Sequence, residues 1–337
     1  MFFLGTSGST PSRGRGLPAL LVSAGGERLL FDCGEGTQRQ LLRSVGLADL
    51  DTIFITHFHA DHWLGLPGML KSFDLRGRDR PLTVYGPAGL VPLMESMRLV
   101  VDPRKLGFEL TLAEVEPWEE LESDRYRVAA VPVNHGERVA LAYVLVEDDR
   151  PGEFDPVAAA RLGVPEGRAF GELQRGVSVE GVQPEQVMGP SRRGRKVVIS
   201  GDTSPCETLA VAAHDADVLV HEATFIAEEG ELALETGHST SIQAAALARD
   251  ASVRLLALTH LSTRYSGGEL LDEARSVFPA SEAMRDFDTI DVPFPERGGP
   301  TVERWSERRA RERPDDGRRG GAPPEPSAAD PGGIASP

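Results

Sequence analysis

The sequence predicts a layered α/β fold, and three observations carry that expectation. Short apolar runs bounded by Gly, Pro and Asp recur along the chain, and runs of that length read as strands. Helix-like stretches lie between several of them. The 337 residues, 40% of them hydrophobic and 26% charged, suffice for one large core or two modest ones in a soluble globular protein.

In chain order, strand-like runs at 19–23 and 28–31 precede a helix-like stretch at 37–45. A run at 52–56 leads to a helical pattern at 64–73, and one at 82–85 to another at 89–99. Further runs fall at 127–133, 139–146, 196–199, 218–220 and 255–258. A helix is expected over 241–250, with Ser239 or Thr240 as its N-cap. Residues 150–196 are rich in Pro, Gly and Arg and hold no long apolar run, so they are expected as an insertion outside the core. From Arg308 the chain turns Arg/Glu/Asp-dense and then Gly/Pro/Ala-rich, the composition of a disordered tail over 308–337. The expected catalytic domain is therefore 1–307, interrupted by 150–196.

The formal charge, 36 basic against 52 acidic residues for a net −16, argues at first against partners bound by overall charge, such as nucleic acid or an anionic membrane. Its distribution says otherwise. Segments 1–50 (five basic, four acidic) and 150–196 (eight, six) are positive, while 197–302 (six, 18) carries most of the deficit. The two cysteines, Cys33 and Cys206, are too few for a disulfide framework. With no basic, apolar leader over 1–10 and no apolar stretch of the ~18 residues a membrane span needs, the expected location is the cytoplasm.

The densest chemical signal is Thr56-His57-Phe58-His59-Ala60-Asp61-His62, directly after an apolar run. A strand ending there can fan His57 and His59 to one side and turn Asp61 and His62 toward a second point. Two metal ions suit that arrangement better than one, because a single tetrahedral zinc takes four ligands and cannot easily use neighbours this tight. A solvated His-rich turn is the bland alternative. Three more polar residues follow apolar runs: His135, Asp202 and His260. Each alone would read as structural; together they point to a shared site where strands end in loops. A carboxylate such as Asp202 can bridge two cations, and neutral imidazoles suit zinc.

The His-x-His-x-Asp-His motif followed by single His, Asp and His residues resembles the metallo-β-lactamase superfamily. Finer motifs resemble its ribonuclease Z family: Phe31-Asp32-Cys33-Gly34-Glu35-Gly36-Thr37-Gln38, Ser200-Gly201-Asp202-Thr203, His221-Glu222-Ala223-Thr224-Phe225, Gly237-His238-Ser239-Thr240 and His260-Leu261-Ser262-Thr263-Arg264-Tyr265. The resemblance runs in unbroken order over about 1–290. It implies an αββα four-layer sandwich with a projecting exosite arm at 150–196. It further implies a zinc-dependent endoribonuclease that removes 3′ trailers from precursor tRNAs, leaving a tRNA 3′-hydroxyl, and that acts as a homodimer without a membrane.

Carried over by motif, the resemblance assigns His57, His59 and His135 to one zinc, Asp61, His62 and His260 to a second, and Asp202 as the bridge. Asp61 would orient and deprotonate the attacking water between the two Zn²⁺. His238 would give its proton to the leaving 3′-oxygen, with Glu222 holding it charged. Substrate contacts are expected from Arg13 and Arg15, in a loop where the family usually has Lys and Arg-Asn, and from Arg192 and Arg193 at the arm's end. His214 is expected at the surface, His221 as structural or supporting. Two other readings stay open: a dizinc hydrolase of small phosphodiesters, aryl sulfates or thioesters, and a non-catalytic RNA- or metal-binding member of the fold.

Overall fold

In the computed structural model, which describes residues 1–47 and 50–312, most strands bury both faces, and this builds two stacked sheets. The first six strands are β1 (Phe2–Gly5), β2 (Ala19–Ala24), β3 (Glu27–Phe31), β4 (Thr52–Phe54), β5 (Leu82–Gly86) and β6 (Leu110–Glu114), side by side in one sheet. The next seven form the other: β7 (Glu120–Glu122), β8 (Tyr126–Pro132), β9 (Leu141–Glu147), β10 (Lys196–Ile199), β11 (Val218–Glu222), β12 (Leu256–Thr259) and β13 (Ser281–Ala283). The chain then returns to the first sheet, where β14 (Thr289–Asp291) pairs with β1 and β15 (Thr301–Glu303) closes the edge.

Side chains alternate across a strand, so each strand feeds two cores. Phe3, Leu20, Leu29, Phe31 and Phe54 of the first sheet meet Val128, Tyr143, Leu145, Val197 and Val220 of the second in the central layer. Their sequence neighbours Leu4, Leu21, Leu30 and Ile53 face outward onto α1 (Thr37–Arg43), α3 (Gly65–Leu75) and α4 (Leu90–Ser96), the short α2 (Ala60–Trp63) preceding α3. Ala142, Val144, Val198 and Leu219 face the other way, onto α7 (Glu207–Ala213), α9 (Ser241–Asp250) and α10 (Gly267–Val277). The order is helix, sheet, sheet, helix, as expected. Such continuous apolar strands mark sheets buried on both sides.

The 150–196 insertion lies between β9 and β10, which pair antiparallel, and its two legs continue that ladder through reciprocal backbone bonds between Arg150 and Arg192 (2.8 and 2.9 Å). It contains α5 (Pro156–Arg161), capped by the Asp155 carboxylate, and α6 (Arg168–Gln174). Ala159, Val164, Leu173 and Val187 give it a small apolar cluster of its own. After it come α7 (Glu207–Ala213), α8 (Gly230–Glu235), α9 (Ser241–Asp250) and α10 (Gly267–Val277). Thr240 is the N-cap of α9, in a capping box with Gln243.

The structure departs from expectation at the edges. Strand β1 opens the chain where no strand was read, and β6, β7, β13, β14 and β15, short and of mixed polarity, were also missed. A last helix, α11 (Trp305–Glu312), carries ordered chain past the 307 boundary, because Trp305 packs against Phe2 and Phe287. The remainder of the expected tail lies outside the described residues. Among the described residues no helix is long and apolar enough to cross a membrane.

Candidate active site

The parallel strands β3–β6 and β10–β13 present their carboxyl ends to one rim, where open α/β sheets collect functional groups. The chain leaves β4 through buried Thr56 and His57 and enters α2 at Ala60, with His59 as the N-cap residue. His57 and His59 therefore lie on an extended stretch, with Phe58 turned to the outer core, while Asp61 and His62 sit in the first turn of α2. His135 follows β8, Asp202 follows β10 and His260 follows β12. Gly201 turns the chain with φ +60° where a Cβ would meet Thr56 at 2.9 Å, so the residue before Asp202 must lack a side chain.

These loops converge. His57, His59, His135 and Asp202 offer ligand atoms that lie within 4.8 Å of one another, and so do Asp61, His62 and His260. Asp202 joins the sets: its Oδ2 stands 3.7 Å from His57 Nε2, 3.3 Å from His62 Nε2 and 3.2 Å from His260 Nε2. Asp202, His238 and His260 meet the same distance criterion.

The residues fit divalent cations. In four of the five histidines the ring nitrogen turned away from the cluster has its own partner: His57 Nδ1 meets Thr56 Oγ1 at 3.0 Å, His62 Nδ1 meets Asp32 Oδ2 at 2.7 Å, His135 Nδ1 meets the Gly237 carbonyl at 2.7 Å and His260 Nδ1 meets Thr224 Oγ1 at 2.8 Å. Such partners fix the tautomer and aim the other nitrogen's lone pair inward. There the nitrogens face one another, His59 Nδ1 lying 3.1 Å from His57 Nε2 and 2.9 Å from His135 Nε2. His62 Nε2 and Asp202 Oδ1 are buried without any hydrogen-bond partner. Buried polar atoms are rarely left so, and a shared cation accounts for both. Burial holds His57 and His135 below the usual histidine range and, with His135 and Arg138 nearby, pushes His59 down to about 4. Neutral imidazole is the ligating form. His62 differs from these three: although burial opposes its charge, the Asp202 and Asp32 carboxylates hold the ring well above the usual range.

Asp61 reaches the same space by another route. Its Oδ2 accepts the Ser9 N–H at 2.8 Å and lies 3.3 Å from His260 Nε2. Although burial opposes ionisation, the hydrogen bond with His260 and the charge of His62 hold its carboxyl well below the usual range. On the far side Glu222, fully buried at the end of β11, accepts from His238 Nδ1 and Thr203 N–H, each at 2.8 Å, and from Thr224 Oγ1 at 2.6 Å. Burial alone would lower His238, but the Glu222 carboxylate overrides it and lifts the ring to about 9. His238 stacks on His260 with centroids 5.4 Å apart, so the pair stands at the edge of the cluster.

Sequence reading missed three supports: Asp32, which also accepts the Thr56 N–H at 2.8 Å, Thr224 and Ser9. Asp32 carried the signal used for Asp202, a carboxylate directly after an apolar run. What the sequence hides is its left-handed backbone (φ 58°), shared by His260 (φ 53°), which turns both side chains under the site.

The expected substrate arginines are not gathered at the cluster. Arg15 is half-buried and donates to Thr6 Oγ1 and the Met284 carbonyl, both at 2.6 Å. Arg193 grips Asp217 with two nitrogens at 3.1 and 2.7 Å. Arg192 donates to the Pro151 carbonyl at 3.0 Å and lies near Glu153 and Glu296 at the arm's root. These three are engaged within the protein. Arg13 and Arg193 are exposed, but of the two only Arg13 has no ion-pair partner among the described residues. His214 is exposed beside Asp215, and His221 is buried with Nδ1 on the Glu222 carbonyl at 2.7 Å, on the strand face opposite the site.

Comparison with known proteins agrees with this geometry. Residues 14–260 match the family described as the metallo-beta-lactamase superfamily, and with the His/Asp cluster this defines a metal-dependent hydrolase of that fold. A ribonuclease Z of Methanosarcina acetivorans is 42% identical over 299 residues, 87% of this chain and 97% of that protein. One of Myxococcus xanthus is 46% identical over 303 residues, covering 87% and 97%. The crystal structure of human tRNase Z, short form, superposes with a TM-score of 0.63 at 28% identity, covering 86% of this chain and 98% of that one. The chain belongs to the ribonuclease Z family of hydrolytic endoribonucleases.

Proposed function

We propose that this chain is a dizinc endoribonuclease that cuts precursor tRNAs at their 3′ end, leaving a 3′-hydroxyl on the tRNA and a 5′-phosphate on the released trailer. The observation that carries the reading is the pairing of two ligand sets through Asp202 with a Glu222–His238 hydrogen bond at their edge. Bound between those sets, two Zn²⁺ would supply Lewis acidity to a water and to the phosphate oxygens. His57, His59 and His135 would hold one ion, Asp61, His62 and His260 the other, and Asp202 both.

The chain's own groups then divide the proton work. Asp61, fixed by the Ser9 N–H, orients the attacking water and takes its proton. As the new P–O bond forms, the bond to the tRNA O3′ breaks, and His238, aligned through Nδ1 by Glu222, gives that oxygen a proton. A buried carboxylate bonded directly to the ring is suited to keep an imidazole both oriented and charged. The insertion at 150–196 would grip the body of the tRNA, in a homodimer whose arms serve the opposite sites, in the cytoplasm.

Incubating the zinc-loaded protein with a precursor tRNA and with bis(p-nitrophenyl) phosphate tests the reading. Endonucleolytic release of the trailer is expected. Cleavage of the small ester alone would return the protein to the small-diester hydrolases, and cleavage of neither to non-catalytic binders.

A further inference from the structure

Beside the active site lies a cavity of about 620 Å³ that no step of the proposed mechanism uses, walled on one side by the 11–16 loop and on the other by α1. The loop is continuous with the catalytic centre. Ser9 donates to Asp61, and a Cβ on Gly8 would stand 2.7 Å from the His260 ring. Two residues further on the chain forms a turn, Ser12 N–H to the Arg15 carbonyl at 2.8 Å, that leaves Arg13 exposed on the cavity wall. Opposite it stand Arg39 and Arg43, one helical turn apart on α1 and both exposed. Positions i and i+4 share a face, with Cβ atoms about 5–6 Å apart.

The cations here are not neutralised by the fold. Arg13 and Arg39 have no ion-pair partner among the described residues, and Arg43 only contacts Gln40 Oε1 at 3.0 Å and the Phe287 ring at 5.4 Å. Two carboxylates line the cavity. Asp286 already accepts from Thr6 Oγ1, the Gly16 N–H and Gln40 Nε2, with Arg15 alongside, which leaves exposed Glu35 as the one opposing charge. The cationic surface also continues. Phe287 packs on Trp305 with centroids 5.4 Å apart, and Arg308 of α11 covers Trp305 at 4.4 Å. In a chain of net charge −16, this flank gathers Arg13, Arg39 and Arg43, none of them ion-paired among the described residues, beside a direct path to the reacting centre. Its aromatic rings are packed or covered by guanidinium groups, so it offers charge without a stacking platform.

We propose that this cavity binds backbone phosphates of the substrate RNA next to the scissile bond, with Arg39 and Arg43 as the principal contacts and Arg13 and Arg308 extending the track. The proposal rests on the RNA-cleaving reading above and deepens it. Phosphate contacts fix the register of a strand without reading its sequence, so the track would hold the cleavage point in place whatever the trailer's bases. It also replaces Arg15, half-buried and bonded to Thr6 and Met284, with α1 residues as the partners of Arg13.

The full-length, metal-loaded chain tests this directly with the variants Arg39→Ala/Arg43→Ala and Arg39→Lys/Arg43→Lys, and Arg98→Ala, exposed elsewhere, as control. Filter binding to a precursor tRNA across a salt series is the readout, beside turnover at saturating RNA and hydrolysis of bis(p-nitrophenyl) phosphate, which is too small to span loop and helix. The Ala pair should raise Kd at least fivefold and lower the slope of log Kd against log salt by about 1.4, at roughly 0.7 per single-strand contact. Saturated turnover and small-ester hydrolysis should hold. The Lys pair, which keeps the point charges but not guanidinium stacking, should recover most of the affinity. Substrates with one-nucleotide and long trailers locate the strand: loss confined to the long trailer puts that trailer in the cavity, and equal loss puts the acceptor strand there. Unchanged Kd and slope, equal loss on RNA and small ester, or no recovery with Lys overturns the proposal. A parent chain that hydrolyses the small ester and leaves precursor tRNA intact instead fails the underlying reading.

Discussion

Replacing His238 by Ala separates proton donation from metal chemistry. The ring is only 9% exposed, held by one 2.8 Å bond to Glu222 and by stacking on His260, so its donor is oriented before substrate arrives. General acids contribute about 10²–10⁴ in rate, and a donor so fixed should give at least the middle of that range. A loss of about 10³ in single-turnover cleavage of precursor tRNA is expected, or about 4 kcal/mol at 1.36 kcal/mol per decade. Hydrolysis of bis(p-nitrophenyl) phosphate should change little, because nitrophenolate departs without a proton whereas a ribose 3′-oxygen does not. Since Glu222 is proposed to act through His238, adding Glu222→Gln to His238→Ala should cost RNA cleavage little more, as for residues that work as a unit. Equal loss on both substrates, or additive losses in the double variant, would refute the donor role and make the pair structural.

Three further outcomes are expected. Asp61→Ala should cut turnover by orders of magnitude while precursor tRNA still binds, measured by cleavage and filter binding; unchanged turnover removes its role with water. Asp32→Asn keeps a residue that tolerates the left-handed backbone but takes one carboxylate oxygen from the Thr56–His62 network, so equilibrium dialysis should show zinc affinity about 10–100-fold weaker. Deleting 155–190, a lobe with its own apolar cluster, should weaken precursor tRNA binding and spare small esters; parallel loss on both would mean the lobe supports the fold.

Much of the site was legible because chemistry and local pattern coincide there. His57, His59, Asp61 and His62 crowd one strand end, and Asp202 and His260 repeat the signature of a polar residue after an apolar run. The long buried strands were legible for a related reason: 28–31 and 196–199 are apolar on both faces because two cores claim them. Strand β7 (Glu-Leu-Glu) owes its place to pairing with β8, not to its own side chains, and the opening Phe2–Gly5 is held by β2 and β14 from far along the chain. Such elements depend on tertiary context that no local window contains. The surroundings of the arginines were hidden for the complementary reason. Charge is visible in sequence, but whether a guanidinium meets solvent or a buried carboxylate such as Asp217 is decided only on folding.

The ligands divide by layer, and this explains why the centre needs so many supports. The first sheet supplies His57, His59, Asp61 and His62 from the single loop after β4, while the second supplies His135, Asp202 and His260 from three separate strand ends. The two sets meet across the central apolar layer, so small slippage between the sheets would separate them. Two bonds oppose that slippage: Tyr143 of β9 donates to the Ile55 carbonyl at 2.9 Å, and the Leu141 N–H to the Thr56 carbonyl at 3.0 Å. A cation shared through Asp202 would add coordinate bonds at the same seam, so metal binding and packing of the sheets reinforce each other. Ligand that binds the folded state at about 100 times its Kd contributes roughly 2.7 kcal/mol. The same coupling places the ligand cluster where the fold is most constrained, with exposed Arg13, Arg39 and Arg43 on the more open side.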